Sequence, residues 1–163
     1  KRFDWIIPPK DTIYFPKDTL NLPPVDSLRF SWEDVSPITG YLLAATCLDT
    51  TGYGKYLTPP TEEKNRRIGQ PWDENDSWQS KEMSNWIGPI PNNEVPVVWG
   101  GLEWFGLHRM SVYVPDVNFI RWFLQYQRAG FQEPILTSVD GAIGVFGSVS
   151  KISKVGFVKK NQP

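Results

Sequence analysis

The sequence predicts an α+β domain, mostly β, with one or two twisted antiparallel sheets, one helix and long loops. Short segments rich in β-branched and aromatic residues recur, one segment has helical apolar spacing, and proline and glycine interrupt the rest. The 163 residues fit a single domain, 1–163, that is large enough to bury a core. Because the chain begins at Lys1 without a signal-type leader, we expect a fragment of a longer polypeptide.

The first 25 residues predict an extended, proline-rich arm, since proline lacks the amide hydrogen that a central strand needs. Alternation then predicts a strand over Ser27–Trp32 that buries Leu28, Phe30 and Trp32. Residues 50–96 are predicted to be loops and short strands, because proline or glycine recurs every few residues. The remaining predicted strands are Gly40–Leu48, Val95–Trp99, Ser111–Val114, Ile135–Val139 and Ile143–Val149, followed by a weakly alternating, then polar, tail.

The helix is predicted over residues 116–129. Asp116 is a suitable N-cap, since its carboxylate can accept hydrogen bonds from the first turn. Val117, Ile120 and Phe123 follow on one face, and Gly130 suits the end of a helix.

Composition argues against several classes of function. With 17 basic and 18 acidic residues and no basic stripe, nucleic acid is a poor partner. No apolar run is long enough for a membrane span. The ligand count, one histidine and one cysteine, argues against a metal site, and no phosphate-binding glycine motif occurs, so no cofactor is expected. Cys47, in an apolar stretch, is predicted to be a buried small side chain.

A catalytic hypothesis would centre on His108, with Ser111 as the nucleophile and Asp116 as the acid. Positions 108 and 111 of a strand point to opposite faces, and Asp116 is already assigned as a cap, so this hydrolase stays an alternative. A binding hypothesis rests on Trp72, Trp78 and Trp104. Trp104 lies in a glycine-flanked loop and is predicted to be exposed, as an anchor at a binding surface.

Two segments carry a resemblance to a known family. Ser27–Trp32 after its proline-rich approach, and His108–Pro115 followed by the helix to Ala129, resemble parts of the protruding domain of iflavirus capsid proteins. The resemblance implies a domain attached to a jelly-roll capsid subunit and displayed on the virion surface. The family's His, Ser and Asp constellation is not matched, because residues 20–26 contain no histidine and Pro37 stands where the acid is expected.

The leading hypothesis is therefore a virion surface domain that contacts a host-cell receptor or glycan, or neighbouring capsid subunits. The alternatives are an esterase- or lipase-like hydrolase centred on His108 and a carbohydrate-binding module. Whether the chain is an enzyme is left open, with recognition favoured.

Overall fold

The computed structural model describes residues 2–15, 29–38, 40–64, 68, 82–95, 101–129, 137–142 and 144–160. Its strands are β1 (Trp5–Ile7), β2 (Thr12–Tyr14), β3 (Phe30–Trp32), β4 (Tyr41–Cys47), β5 (Met83–Ile90), β6 (Glu94–Val95), β7 (Gly106–Pro115) and β8 (Val149–Lys159). One helix, α1 (Val117–Ala129), follows β7, and a short 3₁₀ turn spans Gly54–Tyr56.

The strands form two sheets. A five-stranded sheet has the order β2-β8-β7-β4-β5, and a three-stranded sheet has the order β1-β3-β6. All pairs are antiparallel except β2 and β8, which run parallel. The predicted fold class, mostly β with one helix, is confirmed, and the parallel pair is a departure from the predicted antiparallel sheets.

The core lies on one face of the five-stranded sheet, which we call the inner face. Leu43, Met110 and Val112 project from it into a cluster with Phe30 and Trp32 of the three-stranded sheet. Trp32 and Val112 are fully buried. Aromatic burial on this scale accounts for a stable core in a chain rich in proline, since each large ring removes about 150–250 Å² from water.

The helix begins as predicted. Asp116 accepts a hydrogen bond from the Phe119 amide at 2.9 Å, and its second oxygen accepts one from the Ser148 amide at 2.6 Å. The same carboxylate therefore caps α1 and holds the start of β8 beside it. Ile120 is buried near Gly40, where a Cβ atom would be 3.7 Å from the Ile120 Cδ1.

Several predicted strands are confirmed. Gly40–Leu48 corresponds to β4, and Ser111–Val114 lies within the longer β7. Ser27–Trp32 and Val95–Trp99 are matched only at Phe30–Trp32 and at Val95; residues 27–28 and 96–99 lie outside the described ones. The arm contributes two short strands, each at the edge of its sheet, as proline-rich segments allow.

The C-terminal region was predicted wrongly. Of the predicted strands Ile135–Val139 and Ile143–Val149, residues 135, 136 and 143 lie outside the described ones, and residues 137–139 and 144–148 are not in strand conformation. A turn at residues 140–141 lies between them. The Thr137 hydroxyl is within hydrogen-bonding distance of the carbonyl oxygens of Val139, Ala142 and Gly144, and it can donate to one of them at a time. The supposed polar tail is instead most of β8, whose eleven residues lie between β7 and β2. In the region predicted as loops and short strands, β5 is eight residues long.

Candidate functional site

The residues of the hydrolase hypothesis are bonded to different groups. His108 projects from the inner face, whereas Ser111 projects from the opposite, outer face and shares a hydrogen bond of 2.9 Å with the Ser153 hydroxyl. Asp116 binds backbone amides at the start of α1. No hydrogen bond among the described residues joins any two of these three side chains. The arrangement gives the hydrolase no support.

The His108 ring is buried and neutral. Its Nδ1 lies 2.9 Å from the Gly106 carbonyl oxygen, which can only accept, so Nδ1 carries the proton and Nε2 is an acceptor. Burial lowers the pKa of His108 to about 4, while the Gly106 hydrogen bond acts in the opposite direction. Cys47 is the cross-strand neighbour of His108 and is also buried, as predicted. This part of the inner face belongs to the core.

Trp104 is not the exposed anchor that its glycine-flanked position predicted, because its side chain is only 3% exposed. Gly101 explains the error: a Cβ atom there would lie 2.6 Å from the Ile87 side chain, so the glycine permits the segment to pack tightly against the sheet. Trp72 and Trp78, the other predicted binding residues, lie outside the described residues.

The outer face of the five-stranded sheet carries a different set of functional side chains. Side chains on adjacent strands share a face when their residues are register partners. By that rule, the part of the outer face considered below includes Leu42, Ala44 and Thr46 of β4, Ser84 and Trp86 of β5, Arg109, Ser111 and Tyr113 of β7, and Lys151, Ser153 and Val155 of β8.

An aromatic pair lies on this face near the β5 edge of the sheet. Trp86 is opposite Ala44, and Tyr113 is opposite Leu42, on strands separated by β4. Strands two apart are about 10 Å apart, yet the two ring centroids are 4.9 Å apart, so the rings lean together over β4. The small Ala44 side chain leaves room for them. Trp86 remains 39% exposed.

Helix α1 borders the aromatic pair on one side. The Phe123 ring lies 6.0 Å from the Trp86 ring, and Ile120 is buried beside the start of β4. Across β7, the Lys151 ammonium lies 5.3 Å from the centre of the Tyr113 ring, a distance at which a cation is attracted to the aromatic face. These contacts hold Trp86 in a defined orientation while part of its surface stays accessible.

Hydroxyl groups from four strands lie around the rings. Thr46 and Ser84 share a hydrogen bond of 2.9 Å, and Ser111 and Ser153 share another of 2.9 Å. Within each pair only one hydroxyl hydrogen is used, so the other hydroxyl can still donate, and lone pairs remain on both oxygens. Ser84 and Ser153 are the exposed members. The outer face can therefore offer the exposed part of the Trp86 indole together with the donors and acceptors of Ser84 and Ser153.

Trp86 was not among the predicted binding residues. In the structure its ring contacts those of Tyr113 and Phe123. The available signal was local alternation: Ser84 and Trp86 share one face, while Asn85 and Ile87 share the other. Proline and glycine on both sides of this segment concealed the strand.

Metal-binding clusters, membrane-spanning helices and matches to known proteins add no further candidate site among the described residues. Within the ranges that the structure describes, no group of three or more His, Cys, Asp or Glu side chains is placed to hold a metal ion. The described helix is too short and too polar to cross a membrane. Comparisons with protein-family models, with curated proteins and with solved structures find no match to this chain.

Proposed function

We propose that this chain is a recognition domain that binds a saccharide across the outer face of its five-stranded sheet. In the setting that the iflavirus resemblance implies, the domain is displayed on a virion and the saccharide belongs to the host-cell surface. The observation that carries the proposal is the position of Trp86, which is 39% exposed and is held by Tyr113 and Phe123 among hydroxyl-bearing neighbours.

The chemistry of this face suits a sugar. A saccharide has patches of C–H groups, which pack on an aromatic ring, and hydroxyls at its edges, which need both donors and acceptors. The exposed Ser84 is two residues from Trp86 on the same side of β5, and the exposed Ser153 lies on β8, where it is hydrogen-bonded to the buried Ser111. Because the Trp86 ring is already in contact on two sides, little side-chain entropy is lost on binding.

The positions of the three predicted catalytic residues also favour recognition over hydrolysis. His108 is buried on the inner face and is bonded to a backbone carbonyl, while Ser111 and Asp116 are bonded elsewhere. A Ser, His and acid mechanism requires the hydroxyl and the imidazole to be in direct contact. The attachment proposal requires no rearrangement of these groups.

The test is a glycan array probed with the purified chain and with Trp86→Leu, which keeps apolar contact with Phe123 but removes the flat indole. The control is Phe146→Ala, since Phe146 is 83% exposed and lies outside the outer face. Losing a central aromatic contact should cost about 2 kcal/mol, or roughly thirtyfold in affinity. Phe146→Ala should retain full binding.

Two results would contradict the proposal. One is that the native chain binds no saccharide on an array that includes neutral and charged structures. The other is that folded Trp86→Leu, verified by circular dichroism, binds as well as the native chain. Attachment to cells that is lost with Phe146→Ala and unchanged with Trp86→Leu would instead assign recognition to the turn that contains Phe146.

A further inference from the structure

We infer that the outer face selects anionic saccharides, those that carry carboxylate or sulfate groups, with Arg109 and Lys151 as the cationic contacts. This inference rests on the proposed function and identifies the ligand class of the same surface.

The two cations flank the region where a sugar would lie. Arg109 is the register partner of Thr46 and Val155, and Lys151 is the partner of Tyr113. Because Arg109 and Tyr113 are four residues apart on β7, the two cationic positions are separated by roughly 14 Å along the sheet. The hydrogen-bonded pair of Ser111 and Ser153 lies between them. That length requires an oligosaccharide rather than a single ring.

Among the described residues, the positive charge of Arg109 and Lys151 is not balanced by a carboxylate among the eleven outer-face residues. None of the eleven outer-face residues defined above is acidic, although the whole chain has a formal net charge of −1. Among the described residues, neither Arg109 nor Lys151 forms a salt bridge, whereas Lys55, Lys154 and Lys160 each have a carboxylate partner. Arg109 is partly exposed and Lys151 is exposed. A ligand with negative charge would supply the partner that both cations lack on this face.

Single-stranded nucleic acid is the other anionic polymer that binds sheet faces bearing aromatic residues. Its affinity comes mainly from many phosphate contacts, whereas the eleven outer-face residues defined above include only two cations, Arg109 and Lys151. Successive bases also need separate stacking platforms, whereas the Trp86 and Tyr113 rings are 4.9 Å apart and form one. The outer face therefore favours a short anionic oligosaccharide over a nucleic acid.

The experiment measures affinities of the full chain by isothermal titration calorimetry for matched pairs of ligands. One pair is sialyllactose and lactose, which tests carboxylate; the other is a sulfated tetrasaccharide and its desulfated form, which tests sulfate. The variants are Arg109→Gln and Lys151→Gln. The control is Lys10→Gln, because the Lys10 backbone lies on the inner side of the sheet. Gly156 is the register partner of the inner-face His108, and a Cβ atom added to Gly156 would be 2.7 Å from the Lys10 carbonyl oxygen.

At least one anionic ligand should bind roughly tenfold more tightly than its neutral counterpart, because hydrogen bonds to charged groups are stronger than neutral ones. Arg109→Gln and Lys151→Gln should each lower the affinity for that anionic ligand by about tenfold and leave the affinity for its neutral counterpart unchanged. Lys10→Gln should alter neither affinity, and added salt should lower only the affinity for the anionic ligand.

The inference is overturned, and the proposed function stands, if each ligand pair binds equally well through Trp86. It is also overturned if Arg109→Gln and Lys151→Gln behave like Lys10→Gln. If none of the four saccharides binds, both the inference and the proposed function fail for these ligand classes. Tighter binding of a single-stranded RNA octamer than of every saccharide, lost in Trp86→Leu, would assign the outer face to nucleic acid.

Discussion

Lowering the pH from about 7.5 to about 4.5 should destabilise the folded domain through one residue, His108. Its ring is 1% exposed and donates from Nδ1 to the Gly106 carbonyl. The small cavity beside the ring is lined by Cys47 and apolar side chains and also by Asn85 and Glu103. Burial is nevertheless the largest influence on the pKa of His108, and it disfavours the charged ring. As the pH falls, the imidazole is therefore protonated at a higher pH in the unfolded chain, where it is in water, than in the folded chain.

The direction of this pH effect on stability follows from the pKa of His108 in the folded chain and in the unfolded chain. Burial lowers the pKa of His108 in the folded chain from 6.5 to about 4. Between these values the unfolded chain holds one more proton than the folded chain, so the free energy of unfolding decreases as the pH falls through this window. The stability is fully present above about pH 6.5. At about 1.4 kcal/mol for each pH unit, the total loss is about 3 kcal/mol.

The assay is urea denaturation followed by circular dichroism at a series of pH values, for the native chain and for His108→Gln. Glutamine has similar size, can still donate to Gly106 and does not titrate in this range. The native chain should lose about 2.5 kcal/mol more than the variant between about pH 7.5 and about pH 4.5. This comparison cancels the carboxylates, including Asp49, because both chains contain them.

Equal pH dependence in the two chains would refute the reasoning, since it would mean that His108 titrates alike in the folded and unfolded states. A native chain that becomes more stable as the pH falls through 6.5 would refute the sign, because it would indicate a His108 pKa raised by folding.

Three further substitutions test how local contacts hold the loops and the helix, each measured by urea denaturation at neutral pH. Asp49→Asn should destabilise the domain by about 2 kcal/mol, since the buried carboxylate accepts hydrogen bonds from Thr51 and binds Lys55; equal stability would contradict this. Asp116→Ala should cost about 1 kcal/mol through loss of the helix cap, whereas an equal loss in Asp140→Ala would show that the cap is not the cause. Gly54→Ala should cost more than 1 kcal/mol, because its Cβ would lie 2.3 Å from the Thr61 carbonyl oxygen; an unchanged denaturation midpoint would contradict the tight packing there.

The elements that the sequence predicts well are those whose signals are local. Asp116 caps α1 as expected, because the cap and the first apolar turn are within a few residues of each other. Strand β4 is continuous and apolar, and it is buried on both faces. Neither element needs information from distant parts of the chain.

Strand β8 escaped prediction because its composition is that of a surface segment. It contains lysine at positions 151, 154 and 159, and its burial rises only toward Val158. Pairing with β7 over ten register positions, rather than side-chain preference, keeps it extended. The predicted strand at Ile135–Val139 failed for the opposite reason, because its composition favours a strand. The hydroxyl of the β-branched Thr137 instead closes a turn.

The candidate site was harder still, since its residues come from four strands that are far apart in sequence. Sequence reasoning found Ser111 but grouped it with His108, although their side chains lie on opposite faces of β7. It preferred Trp104 to Trp86, because flanking glycine suggests exposure when packing partners are unknown. Only the strand order brings Trp86 and Tyr113 together over Ala44.

The most direct test of the saccharide-binding proposal is an amide and indole nuclear magnetic resonance titration of the chain with sialyllactose and with the sulfated tetrasaccharide. We predict shifts confined to the indole of Trp86 and to the backbone around Ser84, Arg109, Ser111 and Ser153, on the outer face of the sheet. Shifts confined to His108 and the inner face or to the turn at Phe146, or no shifts with either ligand, would contradict it.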